Sequence, residues 1–217
     1  MAPHITASCT IRAHCIYLNG VLQYAHPTPT DPLNDFLIAA YRHLGIQYPK
    51  FFKMDALCKL AFLTAELLLP ATGIRERVAT GDIGIVLANK SSSLLSDLAH
   101  QHSIQDPAHH FPSPAVFVYT LPNIMLGEVS IRHQLTGENT LFVADAFEPD
   151  TLESYVALLL QEDISQACLC GWIEADTATY ESFFYVVEKP ESTPAFAPLP
   201  HHSTSINTLY HHSFNLN

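Results

Sequence analysis

Apolar positions along the chain switch between a period of two and a period near 3.6, and the switches mark a run of strands and helices. Ile5–Arg12 alternates apolar and polar side chains and is expected to be a first strand. Pro27, Pro29 and Pro32 then remove ladder donors and fix φ, so the stretch up to Pro32 reads as loop. Asp35–Leu44 has the spacing of a short helix. Within Met54–Leu69, Leu57, Leu60, Ala61, Thr64, Leu67 and Leu68 share one helical face, and Pro70 with Gly73 should end that helix. Asp82–Ala88 is a short β-branched run between Gly81 and Asn89, which suits a buried strand. Ser91–His102 predicts a serine-capped helix, and Tyr119–Leu135 a helix broken near its start. Strand 140–145, helix 149–162, strand 166–173 and a last strand at Ser182–Glu188 follow.

Strands alternating with helices predict an α/β sheet with helices on both faces. From Pro190 the composition turns to Pro, Ser, Thr and His. Residues 1–189 therefore read as one domain, and 190–217 as a tail with little structure of its own unless something docks it.

Composition narrows the class. Of 217 residues, 48% are apolar and 14% charged, enough to bury a core. The formal net charge of −11 argues against a nucleic-acid backbone as partner, because phosphates need a basic face. No apolar run reaches the length of a membrane span, the longest helical candidate being interrupted by Lys59, Thr64 and Glu66. The opening MAPHITASC lacks a basic stretch followed by an apolar one, so no signal peptide is expected and the cytoplasm is the expected compartment.

Candidate chemistry is sparse. Cys9, Cys15, Cys58, Cys168 and Cys170 have no disulfide-framework spacing. Cys168 and Cys170 fall two apart on a strand and point to one face, either as a thiol pair or as small apolar packing residues; packing is the expectation. Cys58, beside a helix stripe, is expected to pack too. Adjacent histidines (His109-His110, His201-His202, His211-His212) point apart on an extended chain, and no His-Glu-x-x-His or Cys-x-x-Cys completes a metal site. Surface histidines and no metal or cofactor are expected. Ser91–Ser93 lacks the Gly-x-Ser-x-Gly elbow of a hydrolase, and Asp145, Glu148 and Asp150 read as helix-start charges rather than general acids.

One long stretch says more. GENTLFVADAFEPDTLESYVALLLQEDISQACLCG (137–171) resembles the nucleophile region of a β-ketoacyl synthase of the thiolase-like superfamily. YPKFFKMDALCKLAFLTAELLL (48–69), GIVLANKSSSLLSDLAHQHSI (84–104) and FPSPAVFVYTLPNIMLGEVSIRHQLTGENT (111–140) resemble other segments of that family in the same order. The resemblance covers roughly residues 5–188 and implies the amino-terminal half of a thiolase-like fold, a five-stranded mixed sheet with helices on both faces. It places the nucleophilic cysteine at Ala146, and the chain ends before the half that carries the family's histidines. An alanine cannot hold an acyl thioester, and the acids Glu148, Asp150 and Glu153 at the helix start would oppose a thiolate. The resemblance thus implies a catalytically inactive ketosynthase-like protein, an auxiliary partner of an active synthase in fatty-acid, polyketide or polyene synthesis. Two alternatives stay open: a binder of acyl chains or small molecules using the remnant groove, or one chain of a split acyltransferase. It also implies a homodimer, or a heterodimer with a full-length ketosynthase, paired through edge strand Thr140–Asp145. An acyl carrier protein is a further candidate partner, disfavoured by the shared acidity. Helix 149–162 is apolar around most of its circumference and must be covered by the tail, a second copy or another protein.

Overall fold

The computed structural model describes residues 3–106, 112–189 and 199–212. Strand β1 (His4–Arg12) leads into a hairpin of β2 (Cys15–Leu18) and β3 (Val21–Ala25), followed by helices α1 (Leu33–His43), α2 (Ala56–Thr72) and α3 (Ile74–Arg77). Strand β4 (Ile83–Asn89) precedes α4 (Leu94–Ile104), α5 (Pro114–Val118) and α6 (Ile124–His133). Then come β5 (Asn139–Val143), α7 (Pro149–Gln161), β6 (Ala167–Ala175), β7 (Tyr180–Glu188), β8 (Leu199–Pro200) and α8 (Ser203–His212).

The strands form one mixed sheet in the order β3-β2-β1-β7-β6-β4-β5, with β8 beside the start of β1. Strands β5, β4 and β6 run parallel to one another, and the rest of the sheet is antiparallel. The sheet has eight strands among the described residues rather than the five expected. The extra ones are the β2–β3 hairpin and β8. Asn19 and Gly20 both have positive φ, 50° and 77°, the geometry of the tight hairpin turn that joins right-twisted strands. The prolines at 27, 29 and 32 lie past this hairpin, so the loop they signal begins later than expected.

Alternation along the central strands divides the core between two faces. Ile83, Ile85 and Leu87 of β4 join Leu169, Ile173 and Phe184 under α1, α2 and α6. On the other face, Val86, Ala88, Cys168, Cys170, Phe183, Tyr185 and Val187 pack against α7 and α8. Helix α2 is buried nearly all round because it lies on the sheet with α1 and α6 against its flanks. The Asp55 carboxylate caps it, accepting from Cys58 N–H at 2.8 Å. Pro70 does not stop the helix, which runs on to Thr72 and ends at the left-handed Gly73. No helix among the described residues is long and apolar enough to cross a membrane.

The tail is where expectation and structure part most. Residues 199–212 dock on the sheet: β8 pairs with His4 and Ile5 of β1, and α8 lies against α7 with Ile206 fully buried. Of the three covers open to the α7 helix, the chain uses its own tail.

Gly171 marks the tightest backbone approach. A Cβ there would fall inside van der Waals distance of the Phe183 carbonyl oxygen on β7. Gly171→Ala is therefore expected to cost about 3 kcal/mol in stability, read from urea unfolding, because backbone rather than a side chain would have to move. A change under about 0.5 kcal/mol would contradict the close approach.

Candidate functional site

The parallel strands β4 and β5 end in register at Asn89 and Val143 while β6 runs on to Ala175, and the loop 144–148 between β5 and α7 lies at that end. Ala144 N–H donates to the Asn89 carbonyl at 2.9 Å, which fixes the start of the loop to the end of β4. Ala146, where the resemblance places the nucleophile, is exposed. Glu148 and Asp150 beside it are exposed as well, with Pro149 in the first turn of α7.

Next to Ala146, Phe147 packs its ring 4.2 Å from that of Tyr210 on α8, and lies 5.9 Å from Phe183 and 6.2 Å from Trp172. A polar network closes around this aromatic cluster. Glu181 Oε2 accepts from Arg12 Nε at 2.7 Å, and Glu181 Oε1 accepts from Trp172 Nε1 and from Tyr210 Oη, each at 2.7 Å. Arg12 also donates to the Tyr210 carbonyl at 2.6 Å, and its guanidinium lies 4.0 Å over the Tyr210 ring. Cation, carboxylate, indole and phenol thus bind one another, and burial raises the Tyr210 phenol above its ordinary value.

The other end of α8 is held by α7. Glu153 accepts from Ser203 N–H at 2.5 Å and lies 3.1 Å from His202 Nδ1. Burial raises the Glu153 carboxyl, but these bonds outweigh it and leave the group below its ordinary value. Sequence reasoning set Glu153 among the acids facing a lost nucleophile; the structure spends it on the tail.

The remaining candidates separate as follows. Cys168 and Cys170 are fully buried on the α7 face, and burial pushes the Cys170 thiol well up, as it does Cys58, so these are packing residues. Ser93 precedes α4 without capping it through its side chain; its hydroxyl donates instead to the Thr120 carbonyl at 2.8 Å. His202 is exposed but its neighbour His201 is buried, so the pair points apart as expected while one member is no surface residue. His109 and His110 lie outside the described residues. Among the described residues, no three His, Cys, Asp or Glu are grouped to hold a metal ion.

His201 has a consequence for pH. Its Nε2 is buried without a partner, its ring lies 5.9 Å from that of Tyr185, and burial lowers it to about 4 against the pull of Glu153. His133, buried on the opposite face, is also lowered by burial to about 4. Both groups stay neutral in the folded chain, so their contribution is present above the unfolded value of roughly 6.5 and is lost as pH falls from there towards 4. The melting temperature is expected to drop across this window, and less steeply in His201→Phe, which keeps a ring and loses the titration. An identical slope in both proteins would contradict the assignment.

Sequence reasoning missed the residues of the network around Tyr210. Arg12 and Glu181 are charges at the ends of otherwise apolar strands, the one available signal, and the last strand was expected to begin one residue after Glu181.

No family model matches the chain, and no curated protein is similar to it. Solved structures are. The chain superposes on the ishigamide ketosynthase/chain length factor with a TM-score of 0.61 at 16% identity, over 89% of this chain and 63% of that one. A ketosynthase in complex with its chain length factor from Xenorhabdus doucetiae matches with a TM-score of 0.57 at 14% identity, over 98% and 92%. A β-ketoacyl synthase from Burkholderia phymatum matches with a TM-score of 0.60 at 13% identity, over 88% and 59%. The fold is thus the ketosynthase type of thiolase-like fold, and the chain spans about six tenths of two of these three structures.

Proposed function

We propose that this chain is a non-catalytic, ketosynthase-like subunit that assists an active ketosynthase in building fatty-acyl, polyketide or polyene chains. The observation that carries the reading is the state of the remnant site. By the resemblance, alanine stands where the nucleophile would be, and the following Phe147 is packed against Tyr210 and Trp172. Condensation needs a thiolate to accept the acyl group and donors aimed at the developing oxyanion. Ala146 supplies no thiol, and Phe147 beside it is taken up in aromatic packing.

Two further observations favour a partner. Strand β5 is one edge of the sheet and pairs only with β4 among the described residues, which suits antiparallel pairing along its outer side. The Xenorhabdus doucetiae match covers 98% of this chain and 92% of the other, so a chain of nearly this length belongs to a complex of a ketosynthase with its chain length factor. The partner in this reading is a full-length ketosynthase. An acyl carrier protein would reach the pair through that chain, since the net charge of −11 repels an acidic carrier.

The catalytic half of the proposal is tested by mass spectrometry after incubation with an acyl thioester. The protein is expected to gain no acyl group, and Ala146→Cys is expected to react with iodoacetamide, because the position is exposed, without becoming acylated. Acylation of the unmodified chain would overturn the reading.

A further inference from the structure

The docked tail forms one wall of a cavity at the end of the sheet away from Ala146. Ile5 of β1 is level with Val187 of β7, Cys168 of β6 and Gly84 of β4, so it lies where β4 and β6 begin, whereas the loop 144–148 follows the end of β5. There the tail supplies Leu199 of β8 and Leu209 of α8, β1 supplies Ile5 and the hairpin supplies Val21, around a space of about 490 Å³. That volume falls within the roughly 300–1,000 Å³ of small-molecule sites. Val21 and Leu199 are 62 and 44% exposed, so apolar surface meets water at the mouth of the cavity and an apolar occupant would cover it.

The lining is uncharged. Among the described residues it contains no Asp, Glu, Lys, Arg or His, on a chain of net charge −11. A charged ligand would lose water there and gain no partner. The polar groups of the lining come from β1 and the hairpin. Asn19 Oδ1 accepts from Ser8 N–H at 2.8 Å, and Asn19 N–H donates to the Ser8 carbonyl at 2.7 Å, which fixes the side chain and leaves its Nδ2 to donate. Gln23 Nε2 donates to the Val21 carbonyl at 3.1 Å, which leaves its Oε1 to accept. A donor and an acceptor beside an apolar wall suit an apolar molecule with a single uncharged polar group.

We propose that this cavity is a binding site for an uncharged, mainly apolar small molecule that carries one hydrogen-bonding group such as an amide, amine or hydroxyl. The site is separate from Ala146 and its neighbours, and it does not depend on the function proposed above. Leu199 and Leu209 belong to the tail, whereas Ile5 and Val21 belong to β1 and β3. An occupant therefore bridges tail and sheet, and its binding free energy holds the tail in place.

The test is fluorescence titration of the full chain with N-phenylnaphthylamine, an uncharged aromatic amine with a single N–H, and with anilinonaphthalene sulfonate, which adds a negative charge to the same rings. The neutral probe is expected to bind, to raise the melting temperature as its concentration rises, and to bind at least about 10-fold more tightly than the sulfonate. Val21→Glu changes an exposed residue of the lining, so it should melt like the unmodified chain. It should weaken the neutral probe about 10-fold, because a carboxylate at the mouth would lose water to the ligand. Leu98→Glu, at an exposed apolar position on α4, should leave binding unchanged. Absence of binding, equal affinity for the two probes, or unchanged affinity in Val21→Glu would each overturn the proposal. A loss of the same size in Leu98→Glu would show adhesion to apolar surface in general and overturn it as well.

Discussion

Glu181→Leu is expected to lower stability by about 3 kcal/mol, among the larger losses any single substitution in this chain can cause. The change takes the Glu181 carboxylate from the mostly buried Arg12 and from Trp172 Nε1 and Tyr210 Oη, which donate to it. Removing one partner of such a pair costs more than the pair itself contributes, because the buried charge that remains has already lost its water. For a chain of this size the shift corresponds to a melting temperature lower by roughly 10 °C, measured by circular dichroism. Arg12→Met/Glu181→Leu should recover much of the loss, since an apolar pair leaves no buried charge. A melting temperature unchanged in the single variant would mean that α8 is not held by this network.

A chain ending at Lys189 is expected to aggregate where the full chain stays in solution. Helix α8 lies against α7 and shares one core with Phe183, Tyr185, Val156 and Leu160, to which it contributes Ile206. Each large apolar side chain returned to water costs about 1.5–3 kcal/mol, and a bared patch of this kind drives association. Light scattering of the two proteins at equal concentration is the check. A truncated chain that is soluble with an unchanged melting temperature would show the tail to be an appendage rather than part of the core.

Much of the fold was legible because its elements bury one face. Strands β1, β4 and β6 and helices α1, α2 and α7 all sit within a few residues of where periodicity put them, and their patterns are strongly apolar. The β2–β3 hairpin escaped because β3 is mostly exposed and so shows no alternation. The Asn19-Gly20 pair was the signal to weigh, as it is the commonest sequence mark of a two-residue hairpin turn. Helix α8 escaped for a different reason: Ile206 is its one fully buried apolar residue, and polar neighbours masked the Ile206, Leu209, Tyr210 spacing. The site divides in the same way. Ala146 takes the nucleophile's place only by the resemblance in sequence order, whereas the cluster beside it joins Arg12, Phe147, Trp172, Glu181 and Tyr210 from five separate segments. Only the folded sheet brings those together.

The central claim is that this chain assists a ketosynthase rather than acting as one. The most direct measurement is the mass of the species it forms on co-expression with the ketosynthases of its own genome, by size-exclusion chromatography with light scattering. A one-to-one complex with a full-length ketosynthase, in which only the larger chain takes up an acyl group, is the predicted result. A protein that stays apart from all of them, or that carries the acyl group itself, would contradict it.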